Sequence, residues 1–313
     1  MSDAAVLATG RAQYAGGIAM VLLATLGWSL AGLFVRLMPD LDGWQINCWR
    51  GLWTAVWIFL YLLATRRQTF LTSFRGLPLT GVLLSAGFFA AGSTLYVTSL
   101  TLTSTAIASC IGALSPIFTA VIAWLVLKER PGWLTIFAAM VAIAGVVIIF
   151  ADGLETGRWL GAFTMVIVAL SFSIQTVTLR NYRAFDMVPA IAAGGLLAFA
   201  IAALVGGGLD VGGREIALLA AMGLVQLALP LILFVRSAKH VPAVTLNLIA
   251  LLDAVLNPLL SWIGAGEVPD RAAFIGGGVI VLAVLLSILG GRRISTADGV
   301  PAQAGNSAVM TRK

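Results

Sequence analysis

Two formal charges stand inside long apolar stretches of this sequence, and they are the residues best able to do chemistry. Asp253 lies midway along the run 242–263, and Arg50 lies near one end of the run 44–64. A lone charge in a bilayer costs about 3 kcal/mol or more, so it must face water or the interior of a helix bundle. Three roles are open for Asp253. It could pair with Arg50 or with backbone groups, hold the ammonium of a substrate, or carry a coupling proton. Arg50 could meet that carboxylate or a substrate carboxylate, or snorkel to the interface.

Uncharged polar residues recur around these charges. Asp253, Asn257 and Ser261 are spaced by four, which places them on one helical face. Ser171, Gln175 and Thr178 do the same in the run 159–179, and Gln226 stands alone in 215–235. Such stripes line a cavity or bond between helices. Aromatic residues are plentiful nearby: Trp28, Trp49, Trp53, Phe88, Phe89, Tyr96, Phe118 and Phe172. Some belong to interfacial belts, while others can wall an apolar pocket in which a ring stacks. The expected cavity residues are therefore Trp28, Ser29, Tyr96, Phe172, Gln175, Gln226 and Asn257, with Arg50 and Asp253 as charge pair or coupling groups. Pro116, Pro230 and Pro258 each free a carbonyl one turn earlier and are expected as hinges. Pro189 does so only if its helix begins early. Cys48 and Cys110 read as small buried apolar residues.

The elements that must position these residues are set by composition. Of 313 residues, 60% are hydrophobic and only 10% are charged, and mean hydropathy is +1.02. A soluble domain carries roughly 25% charged residues, so the chain reads as an integral membrane protein. Apolar runs long enough to span a bilayer, about 20 residues each, fall at 16–35, 44–64, 77–99, 105–127, 132–150, 159–179, 187–209, 215–235, 242–263 and 272–290. The first run is longer than a signal-peptide core and is expected to stay. If both termini are cytoplasmic, 14 of the 19 Lys and Arg fall inside and four outside, with Arg50 in a span. The positive-inside rule accepts that orientation. It also explains the net charge of +6 without nucleic acid, for which no basic stripe exists. His240, the single histidine, falls at the cytoplasmic headgroup level. One His and two Cys argue against a resident metal, and no cofactor is expected.

The chain repeats itself. Ser115 to Pro131 can be laid on Asp253 to Pro269 at an offset of 138, matching Trp124 with Trp262, Glu129 with Glu267 and Pro131 with Pro269. An offset of 144 lays Trp28 on Phe172, Ser29 on Ser173 and Arg36 on Arg180. The expected organisation is an all-α integral membrane fold of ten helices in two inverted five-helix repeats, 16–150 and 159–290. A cytoplasmic tail at 1–15 and a disordered one at 291–313 flank them. Five helices per copy is an odd number, so the copies sit upside down relative to each other, as in many secondary transporters. Ala272, Gly276, Ala273 and Gly277 form a doubled small-xxx-small pattern suited to helix packing.

The stretch Trp124-Leu125-Val126-Leu127-Lys128-Glu129-Arg130-Pro131, preceded by a proline-bearing apolar helix and followed by a glycine-containing one, resembles the drug/metabolite transporter superfamily. More narrowly it resembles the ten-helix EamA-type branch, over residues 16–290. The stretches 251–262 and 46–51 look most like the aromatic amino-acid exporters. The resemblance implies a multi-pass protein of a bacterial plasma (inner) membrane that exports small amphipathic metabolites, aromatic amino acids above all, by alternating access. It implies a cavity between the two repeats, with the fifth and tenth helices peripheral. A broader neutral amino-acid or drug exporter is the alternative. A nucleotide-sugar carrier would want more cations in the cavity than Arg50 alone. An intramembrane enzyme would need paired acids or a nucleophile with its base, and a channel would need a filter motif. None is seen.

Overall fold

The computed structural model describes residues 3–66, 76–102, 111–150, 159–206, 209–265 and 271–297, and every regular element among them is helical. The first repeat holds α1 (Asp3–Trp28), α2 (Ala31–Arg36), α3 (Gly43–Thr65), α4 (Leu79–Leu102), α5 (Ser115–Leu127) and α6 (Trp133–Phe150). The second holds α7 (Trp159–Asn181), α8 (Val188–Gly206), α9 (Gly213–Met222), a π-helical turn (Gly223–Ala228), α10 (Leu229–Ser237), α11 (Ala243–Ala250), α12 (Asp253–Ala265) and α13 (Arg271–Ala297). Six of the helical segments are long and apolar enough to cross a membrane. Four shorter apolar helices, Ser115–Leu127, Trp133–Ile148, Ala243–Leu256 and Phe274–Ile288, fall on the other four expected runs. Apolar side chains cover the outside: Leu204 is 87% exposed and Trp133 75%. A surface of that kind suits lipid.

Helix ends differ from expectation in informative ways. Helix α1 begins at Asp3, so most of the tail expected at 1–15 is helical, and buried Tyr14 donates to the Ile288 carbonyl at 3.1 Å. Helix α13 runs on to Ala297, into the tail expected at 291–313. The first span is broken at Ser29-Leu30, where the Thr25 and Ser29 hydroxyls donate back to the carbonyls of Val21 and Thr25. Side chains that bond back in this way bend helices.

Packing follows the repeat. Helix α3 packs on α8, α6 on α13, and α5 on α11, each pairing equivalent elements of the two copies. Other large contacts come in matched sets: α4 with α7 answers α1 with α10, and α4 with α8 answers α3 with α9 and the π turn. Exchanging the copies leaves this pattern unchanged, as a pseudo-two-fold axis requires. Gly51 and Gly195, separated by the repeat offset of 144, meet across that axis. A Cβ on either would lie 2.9 Å from the other's carbonyl oxygen. Overpacking of that kind costs about 1–3 kcal/mol or more, because backbone must move. Gly195→Leu is therefore expected to lower the thermal unfolding midpoint in detergent, whereas Gly87→Leu, whose Cβ meets nothing within 4 Å, leaves it in place. Equal midpoints for the two variants would refute the close approach.

The two ends of the bundle are tied by polar contacts. At one end Asp42 and Gln45 form a capping box on α3, and Gln45 donates to the Asp210 carbonyl at 3.3 Å. At the other, Arg66 pairs with Asp186, Arg236 meets Tyr61, and the Arg180 Nε donates to Glu129 at 3.0 Å. Helix α5 ends on Lys128, which has a left-handed φ of 57°. A residue with a Cβ is disfavoured there by roughly 1–2 kcal/mol. Gly266 occupies the matching position of the second copy, at the 138 offset.

Candidate substrate cavity

Two helix breaks and one bulge build the site. The chain turns at Ala113-Leu114 and again at Leu251-Leu252, positions that match at the 138 offset. Each turn starts a new half-helix, so Ser115 opens α5 and Asp253 opens α12. Pro116, expected as a mid-helix hinge, sits instead in the first turn of α5, where its missing N–H leaves no acceptor wanting. Pro189 likewise sits in the first turn of α8, which starts at Val188, and breaks nothing. Pro230 follows the π turn, whose wider winding carries Gln226. Such bulges are frequent at functional sites. Half-helix N-termini carry a partial positive charge, and Asp253 lies in the first turn of α12. Ser115, its counterpart, leaves the N-terminus of α5 free of any acid.

These elements enclose a cavity of about 300 Å³ between the repeats. That is the small end of the range for ligand sites. Trp28, Arg50, Tyr96, Phe172, Gln175, Gln226 and Asp253 line it, together with Phe88 and Phe89. Among the described residues, none of α6 or α13 lines it. Trp28 and Phe172, equivalent at the 144 offset, meet edge to face with centroids 6.1 Å apart. Phe234 backs both, at 5.2 Å from Trp28 and 5.8 Å from Phe172.

Arg50 and Asp253 do not form an ion pair. The Arg50 Nη2 donates to Asn47 Oδ1 and to Ser93 Oγ, both at 2.9 Å, and the Ser93 hydroxyl donates to Asn47 Oδ1 at 3.0 Å. The guanidinium is thus anchored by neutral groups on α3 and α4, and its Nε has no partner. Asp253 Oδ1 also has none. Tyr96 stands within electrostatic range of both charges. Gln175 Nε2 and Gln226 Oε1 complete a set of four buried, unpartnered polar atoms on residues that line the cavity. Two are donors, and two are acceptors. Leaving such groups unmet is costly, about 1–3 kcal/mol each and more when charged, so the set is built for a ligand or for water.

Ser29 departs from expectation. It is fully buried beside the cavity rather than lining it, with its hydroxyl donated to the Thr25 carbonyl at 2.8 Å. The side chains of Asn257, Pro258 and Ser261 lie outside the described residues, as does Cys110; Cys48 is buried as expected. Sequence reasoning passed over Ser115, Ser93 and Asn47. The first was within reach, since the 138 offset lays Ser115 on Asp253. The other two carry no signal until α3 and α4 are packed together. A buried relay of hydroxyls and amides supports the broken helices from behind. Ser173 donates to the Ser115 carbonyl at 2.9 Å, Thr176 donates to Asn247 Oδ1 at 2.9 Å, and Asn247 donates to Thr119.

Comparison with known proteins agrees with this architecture. One solved crystal structure, described only as that of a protein, is 18% identical with a TM-score of 0.79, over 89% of this chain and 99% of its own. That likeness shows a shared fold. No curated protein matches the sequence. The EamA-like transporter family matches twice in succession, over residues 15–151 and 156–289, one match on each copy of the repeat. With an all-helical bundle around an internal cavity, these two matches make the conclusion plain: the chain belongs to the EamA-like transporter family of the drug/metabolite transporter superfamily, multi-pass membrane carriers of small solutes.

Proposed function

We propose that this protein is a secondary transporter that exports small amphipathic zwitterions, aromatic amino acids foremost, by alternating access. One observation carries the reading. Among the residues that line the cavity, Arg50 and Gln175 each hold a buried donor with no protein partner and Asp253 and Gln226 each a buried acceptor with none, beside an aromatic wall of Trp28 and Phe172. An α-carboxylate completes the first pair, an α-ammonium completes the second, and an aromatic side chain stacks on the wall. In this reading the ten apolar segments are ten spans with both termini cytoplasmic in a bacterial inner membrane. The pseudo-two-fold packing supports alternating access, because equivalent interfaces can open on either side at similar energy. Export down a gradient needs no coupling ion.

Counterflow in proteoliposomes tests it, with vesicles preloaded in turn with Trp, Phe, Thr or Lys and labelled Phe outside. Accumulation driven by Trp and Phe, but not by Lys, is the expected result. A neutral amino-acid carrier is the second reading, favoured by the fact that the four polar groups address only the part common to all amino acids. Exchange by Thr as efficient as by Trp would select it and would retire the stacking role of Trp28 and Phe172.

A further inference from the structure

The bundle holds a second and larger cavity, of about 710 Å³, which shares no lining residue with the first. It lies at the end of the bundle where α5 gives way to α6, and its charged and titratable lining groups are Lys128, Glu129, Arg130, Arg180, Arg183 and His240. The charge there is one-sided. Glu129 is committed to Arg180, whose Nη1 also donates to the carbonyls of Ala238 at 3.1 Å and Lys239 at 3.0 Å. Arg180 is thereby locked in place as a floor. Lys128, Arg130 and Arg183 have no carboxylate partner among the described residues. The buried hydroxyls of Thr135 and Thr245 add neutral donors.

Lys128 supplies an independent observation. It adopts a left-handed backbone that favours glycine, and the second copy of the repeat has Gly266 there. Helix termination alone would be served better by glycine in both copies. Its side chain lines the pocket all the same. The surroundings indicate the depth. Trp124, one turn before Lys128, and Trp133, at the start of α6, are 51% and 75% exposed, and tryptophans in such places sit at the headgroup level.

We propose that this pocket binds a phosphate ester, with the phosphate held among Lys128, Arg130 and Arg183 above the fixed Arg180. Three free cations with neutral hydroxyls match a phosphate's charge and its several acceptor oxygens. Under the topology proposed above, the pocket faces the cytoplasmic leaflet, where basic pockets between helices meet anionic headgroups. The same chemistry admits a soluble phosphate ester from the cytosol.

His240 reports occupancy, because it is the protein's single histidine. Its pKa lies below the usual imidazole range, through burial first and then through Lys239 and Arg180. A bound dianion or monoanion favours the imidazolium, so it raises that pKa, and by linkage binding tightens as pH falls. Glu129, the pocket's lining carboxylate, is bonded to Arg180.

The experiment is an NMR titration of histidine-labelled protein carrying a histidine-free tag. One arm compares nanodiscs of phosphatidylglycerol with nanodiscs of phosphatidylcholine, and the other adds glycerol 3-phosphate in neutral detergent. Lys128→Gly and Arg183→Gln run beside the native protein. Lys128→Gly relieves the left-handed strain, so its unfolding midpoint should hold or rise. The expected result is a rise of about one pH unit in the His240 pKa, largely lost in both variants. A rise confined to phosphatidylglycerol identifies a lipid headgroup, and a rise with glycerol 3-phosphate identifies a soluble ester. A membrane's surface potential alone would raise the imidazole equally in native protein and variants. That equality, or no rise in either arm, overturns the proposal.

Discussion

Arg50→Gln is expected to cut counterflow of phenylalanine about 100-fold while leaving the bundle as stable as before, or more so. The guanidinium is buried, anchored to Asn47 and Ser93, and lacks any carboxylate partner. Removing such a charge relieves desolvation, so folding has little to lose. Binding has much to lose. A charge-assisted bond to a substrate carboxylate contributes about 1.5–3 kcal/mol, and each 1.4 kcal/mol is about tenfold in affinity. The substrate itself supplies the control. Phenethylamine, which has no carboxylate, should compete equally well against native protein and variant. Arg50→Lys should keep part of the activity, since it keeps the charge and loses the fork. Native counterflow in Arg50→Gln would remove Arg50 from the site.

Asp253→Asn should lower the same counterflow about 10- to 100-fold, by replacing a charged acceptor with a neutral one of the same shape. Here the matched probe is 3-phenylpropionate, which lacks the ammonium and should compete with the variant at least as well as with native protein. The alternative role gives the opposite pattern. A carboxylate that carries a coupling proton is needed for net, pH-dependent transport and not for exchange. Counterflow kept at native level, with pH dependence of uptake lost, would assign coupling to Asp253 and leave Gln226 to meet the ammonium. Loss of both would keep the ammonium assignment.

The two charges illustrate what sequence reading can and cannot do. That Asp253 and Arg50 matter followed from the cost of charge in lipid, which depends only on residue type and depth. That both line one cavity is a finding of the packed helices. So is their relation to each other. An ion pair between them was a sound expectation, since each needs a partner, and the structure instead hands Arg50 to Asn47 and Ser93. Ser93 is one hydroxyl among many in apolar helices, and nothing in its neighbourhood along the chain marks it out. Pro116 and Pro230 were legible as interruptions. Yet the break before Pro116 and its counterpart at Leu251-Leu252, which has no proline, show that the repeat, rather than proline alone, places the half-helices.

Composition, hydropathy and the internal offsets therefore determined the class of protein on their own: a duplicated bundle of apolar helices carrying a few polar residues inside. Those properties are local or periodic, and the physics behind them acts one residue or one helix at a time. Tertiary structure decided which polar atoms find partners and which are left open. Hydrogen bonding is a matter of ångströms between residues distant in sequence, from Arg50 to Ser93 or from Ser173 to Ser115. The four atoms left unpaired around the cavity, two donors and two acceptors, are a property of the packed bundle alone.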